Sequence, residues 1–128
     1  MSLPPDVPEF HLVAAEAVRR YYQLVDHGDI DGLIALFAPT AEYRRPGYET
    51  LRGHAELERF YREERVIEEG RHTVTSLLVA DADVAVEGKF QGTLRDGTET
   101  SLDFADFFTL TPDGTFARRK TFFYAPMV

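Results

Sequence analysis

The sequence predicts an α+β cone, with three N-terminal helices packed on a strongly curved, mainly antiparallel sheet that encloses a cavity. Three observations carry this. Apolar residues recur at three-and-four spacing as far as Tyr61 and at alternate positions from His72 onward, so helices precede strands. The turn signals Asp81-Ala82-Asp83, Asp96-Gly97 and Pro112-Asp113-Gly114 divide the second half into a four-strand antiparallel meander. Gly88 and Gly92 fall inside one of those strands and suggest bulges or sharp bends, which a sheet needs if it is to curl around something.

Three prolines among the first eight residues rule out a helix there, so residues 1–9 are expected to be an extended or mobile arm before a single domain over 10–128. From Phe10 the residues Val13, Ala14, Ala17, Val18, Tyr21, Leu24 and Val25 form one stripe of an amphipathic helix ending near Gly28. Tyr21 is on the buried stripe, and Tyr22, about a third of a turn away, is expected to be a partly exposed packing residue. Asp29 can cap a second helix that turns Ile30, Leu33, Ile34 and Phe37 inward and stops at Pro39. Ala41 to Arg45 suits a short strand, Pro46-Gly47 a turn and Tyr48 to Leu51 another extended piece. Gly53 leads into a third helix with Leu57, Phe60 and Tyr61 inward, fading near Gly70. The four strands are then expected over His72–Ala80, Val84–Leu94, Ser101–Leu110 and Phe116–Tyr124.

Length and composition bound what such a domain does. At 128 residues the chain builds one core, and ten Phe with six Tyr suit a cavity wall. A formal net charge of −8 argues against nucleic acid and anionic membranes, because both repel an acidic protein. There is no cysteine, hence no disulfide or thiolate site, and His11, His27 and His54 have no metal-ligand spacing with each other or with a carboxylate pair, so no metal is expected. The N-terminus lacks a basic region followed by an apolar run, which gives a cytoplasmic expectation.

The chemistry centres on Ser101 to Leu110. Alternation places Leu102, Phe104, Asp106, Phe108 and Leu110 on one face, so Asp106 sits among phenylalanines and leucines. A carboxylate there must be paired, hydrogen-bonded or protonated, and a protonated one is a proton donor.

The runs Tyr21-Tyr22-Gln23-Leu24-Val25-Asp26-His27-Gly28-Asp29-Ile30-Asp31-Gly32-Leu33-Ile34-Ala35-Leu36-Phe37-Ala38 and Gly53-His54-Ala55-Glu56-Leu57-Glu58-Arg59-Phe60-Tyr61 resemble the nuclear transport factor 2-like superfamily. Within it the chain is similar to the SnoaL-like polyketide cyclases and the ketosteroid isomerases. On the isomerase pattern, Tyr21 falls on the oxyanion tyrosine, Asp106 on the protonated aspartic acid and Tyr61 on a supporting tyrosine. The position of the base is Arg45, and an arginine does not abstract a carbon-bound proton. The resemblance places Arg119, Thr121 and Phe123 inward on the last strand, where Arg119 within reach of Asp106 would make the acid an ionised base or orienting group.

The resemblance thus implies a cofactor-free enzyme doing acid/base chemistry, of cyclase or keto-enol isomerase type, on a hydrophobic oxygenated small molecule. Its catalytic set would be Asp106, Tyr21 and His72, with His72 as proton shuttle. Tyr61, Arg119, Arg45, Phe37, Phe104, Phe108, Thr121 and Phe123 would hold the substrate. The alternatives are a binding protein without turnover, which the arginine at the base position favours, and an epoxide hydrolase-like activity using Asp106 and Arg119. The superfamily also implies a homodimer through the outer sheet face, where Glu87, Lys89 and Gln91 would lie.

Overall fold

A computed structural model describes residues 3–124; the first two residues of the expected arm and residues 125–128 of the expected domain lie outside the described residues. Helix α1 (Pro8–His27), α2 (Ile30–Ile34) and α3 (Gly53–Arg59) pack against one curved sheet of β1 (Phe37–Arg44), β2 (Leu51–Arg52), β3 (Ile67–Ala80), β4 (Asp83–Leu94), β5 (Glu99–Leu110) and β6 (Phe116–Tyr124). The strand order is β2-β1-β6-β5-β4-β3, and the sheet stays open. β3 to β6 form the expected antiparallel meander, while β1 runs parallel to β6. No helix among the described residues is long and apolar enough to cross a membrane.

Helix α1 begins at Pro8, two residues before the expected start, because proline's fixed φ suits the first helical position and its missing N–H is not needed there. The arm before it is held rather than free: Leu3 N donates to Pro112 O at 3.3 Å, and Leu3 and Val7 pack on the core. Asp29 caps α2 as expected, its Oδ1 accepting from Gly32 N at 2.8 Å. That helix ends at Ile34, so Phe37 and Pro39 belong to β1. Pro39 is tolerated because the β1–β6 register shifts between Phe37 and Glu42, where no ladder bond needs its N–H.

Helix α3 buries Leu57 and passes into a single π-helical turn over Phe60–Glu64 that buries Phe60 and Tyr61. The turn closes through Arg65 N donating to Phe60 O at 2.8 Å. β3 follows at Ile67, five residues ahead of the expected His72, so the third helix does not continue towards Gly70.

Two bulges lie on β3 and none on β4 at its glycines, and a further extra residue, Ala117, falls on β6. On β3 the extra residues are Glu68 and Thr75, the second opposite the Gly88–Glu87 step. Each insertion reverses the side-chain parity. Ile67, then His72 and Val74, then Leu77 and Val79 therefore all turn towards the core. Gly88 and Gly92 serve a different purpose: a Cβ at Gly88 would lie 2.7 Å from the Phe104 ring, and one at Gly92 2.6 Å from the Phe90 ring. The glycines make room for aromatic rings that wall the concave side.

Candidate active site

Asp106 is fully buried on the inner face of β5, as alternation requires. Every group around its carboxyl donates to it. Arg119 Nη2 donates to Oδ2 at 2.8 Å, Tyr22 Oη donates to Oδ2 at 2.5 Å, and Thr121 Oγ1 donates to Oδ1. Of the three states open to it in the sequence, the carboxyl is thus paired and hydrogen-bonded, with Arg119 as its partner across the strands. Arg119 and Thr121 come from β6, where they share the inner face with Phe123. Tyr22 comes from α1 and is buried, against the partly exposed position expected from helix phase.

Arg119 is clamped between two rings, its Cζ 4.4 Å from the Tyr21 centroid and 4.6 Å from that of Tyr43. Its Nη1 donates to Tyr21 Oη at 2.5 Å and to Tyr61 Oη at 3.2 Å, and the two phenols lie 2.5 Å apart. Burial works against the charge of Arg119, but Asp106 and the tyrosines more than offset it and hold the guanidinium above its ordinary range. Burial pushes the Tyr21 and Tyr61 phenols up, so both stay protonated. Tyr22 is pushed up by burial and by the adjacent Asp106 carboxylate.

His72, on β3, is joined to Asp26 of α1. The ring Nδ1–H donates to Asp26 Oδ1 at 2.6 Å, and the backbone N–H of His72 donates to Asp26 Oδ2 at 2.8 Å. Burial lowers the imidazole's proton affinity, and the hydrogen bond and charge of Asp26 partly restore it. The ring is therefore neutral near pH 7, its Nε2 a free base. Asp26 was missed in the sequence because a carboxylate on a helix edge is ordinarily solvated. The only available signal was its four-residue spacing from Tyr22, which puts both on one side of α1.

A cavity of about 200 Å³ opens beside these groups. It is lined by Tyr21, His72, Arg119, Thr121, Arg45, Phe104 and Phe123 of the expected set, with Tyr43, Arg65 and Phe90 that sequence reasoning did not single out. Asp106, Tyr61, Phe37 and Phe108 do not line it. Tyr61 and Asp106 stand behind the wall and orient Tyr21 and Arg119, and Phe37 and Phe108 are core residues packed edge-on against Tyr21. Among the described residues no three of His, Asp and Glu converge as metal ligands.

N-terminal helices packed on a curved, open sheet place the chain in the nuclear transport factor 2-like class of fold. More narrowly, residues 18–119 match the SnoaL-like domain, and the chain belongs to that family. No curated protein matches it in sequence. A nuclear transport factor 2-like protein of unknown function from Burkholderia pseudomallei K96243 is 22% identical with a TM-score of 0.80, covering 88% of this chain and 91% of that one. The epoxide hydrolase/cyclase-like enzyme SalBIII, involved in pyran ring formation in the polyether salinomycin, is 23% identical with a TM-score of 0.77 over 87% and 90%. TerC, co-crystallized with polyporic acid, is 26% identical with a TM-score of 0.77 over 88% and 92%.

Proposed function

We propose that the protein is an enzyme moving protons on an oxygenated, largely hydrophobic small molecule, with a keto-enol isomerisation or an intramolecular aldol-type cyclisation as the reaction. The observation that carries this is the placing of a neutral imidazole, fixed through Nδ1 by Asp26, on the wall of the same cavity as Tyr21 and Arg119. His72 Nε2 removes a proton from the carbon next to a carbonyl. The electron pair moves onto the carbonyl oxygen, and Tyr21 with Arg119 stabilises the enolate. If Tyr61 donates to Tyr21, the Tyr21 O–H is left free to donate into the cavity. The imidazolium then returns the proton to a second carbon, or to the alkoxide formed when the enolate carbon attacks another carbonyl. Asp106 takes no part in proton transfer and keeps Arg119 charged and aimed.

Solvent-deuterium exchange at the α-carbon of 2-tetralone in D2O, followed by proton NMR, tests this. The wild type is expected to accelerate exchange over buffer, and His72→Asn to lose about 10²–10⁴ of that acceleration. A wild type that binds the ketone without exchanging it would turn the assignment to a binding protein. The epoxide hydrolase reading is weaker, because Asp106 already accepts from three donors and does not line the cavity.

We also infer that two copies pair through the outer sheet face. Phe107 and Phe122 stand there edge to face with centroids 5.8 Å apart and half their surface exposed, beside the wet side of β4 formed by Glu87, Lys89 and Gln91.

A further inference from the structure

The charge of the cavity is opposite to that of the molecule. Arg45, Arg65 and Arg119 line it, and no Asp or Glu does, in a chain with a formal net charge of −8. Arg119 is already neutralised by Asp106. Among the described residues neither Arg45 nor Arg65 forms an ion pair, so the two guanidiniums enter the cavity with no acidic partner.

Aromatic rings flank both guanidiniums. Arg45 Cζ lies 5.4 Å from the Tyr48 centroid, 5.2 Å from Phe60 and 5.4 Å from Phe123, and its Nη1 reaches Tyr43 Oη at 3.5 Å. Its Nε is buried without a hydrogen-bond partner. Arg65 is delivered to the cavity by the π-helical turn, with Cζ 6.0 Å from the Tyr61 ring. A half-buried cation in a largely apolar cavity has lost hydration that an anionic oxygen would replace, and a fixed guanidinium matches a planar pair of such oxygens.

We propose that the substrate of this site is acidic: a flat, ring-bearing molecule with a carboxylate or ionised enol seated on Arg45 and Arg65, its reacting carbonyl turned towards Tyr21 and Arg119. The proposal rests on the reading of the cavity as a substrate site and adds the charge class. Phe90, Phe104 and Phe123 face the ring system.

The test is calorimetric titration at low salt with naphthalene-2-carboxylate and with its neutral isostere naphthalene-2-carboxamide, on the wild type, Arg45→Met and Arg65→Met. The wild type is expected to prefer the carboxylate by about tenfold or more, and each variant to lose most of that preference while still binding the carboxamide. Arg45→Lys is expected to keep part of it, which separates charge from packing should Arg45→Met fold poorly. Equal binding of the two probes by the wild type, binding of neither, or a preference untouched in both arginine variants would overturn the proposal. Exchange of the uncharged 2-tetralone is read independently, so an enzyme that exchanges the ketone but ignores the carboxylate fails here and passes there.

Discussion

A buried ion pair is costly to break, because the partner left behind has neither water nor counter-charge. Asp106→Asn strands Arg119 between two tyrosine rings, so urea denaturation is expected to show a loss of about 3–5 kcal/mol. Asp106→Leu combined with Arg119→Met should cost less than the sum of the single changes, since the pair leaves together. His72 is subject to a pH dependence of definite sign. Burial sets its folded value below the ordinary 6.5, so the unfolded chain takes up the proton more readily. Its stabilisation is complete above pH 6.5 and is lost as the pH falls from there through the folded value. The exchange rate is expected to fall with it, because protonation removes the base. Asp26→Asn takes away the influence that raises the imidazole, so the acid limb of a pH–rate profile should move to lower pH while the plateau falls. At this scale the parity of β5 already turned Asp106 inward, and the family resemblance put Arg119 within its reach. Tyr22 and Asp26 stayed hidden because helix phase identifies a stripe and not which strand end will meet its edge.

The element that decides the site is β3. Its two extra residues, Glu68 and Thr75, reverse parity twice and leave His72 inward between them. Alternation alone left that face open, since a bulge has no fixed sequence signature. The β4 glycines did carry a signal, although it reported the space taken by neighbouring rings. Gly88→Ala would set a Cβ 2.5 Å from Thr73 O and 2.7 Å from the Phe104 ring. Thermal or urea denaturation is expected to show a loss of about 1–3 kcal/mol, with part recovered on adding Phe104→Leu. The second helix was overextended for a related reason: Phe37 continues the apolar spacing of α2, but its place beside Phe116 in the sheet overrides three-and-four spacing that short.

For the whole molecule, the outer face of the sheet and the inner cavity are separate surfaces. Sedimentation is expected to find a dimer, with Phe107→Asp shifting it towards monomer. The carboxylate preference of the cavity should persist, because Phe107 points away from it. A monomeric wild type would remove the pairing and leave the active-site proposal standing. By itself, the sequence determined the class of fold, the strand meander and its turns, and the inward acid. These follow from periodicity and turn chemistry, which are local properties of the chain. Only the tertiary structure decided which groups meet. Tyr22 and Asp106 are 84 residues apart in the chain, and Tyr21 and Arg119 are 98 apart. Contacts of that span depend on where β3 bulges and where α1 crosses the sheet. The same geometry decided that two arginines face the cavity without an acid, which gives an acidic protein a cationic interior.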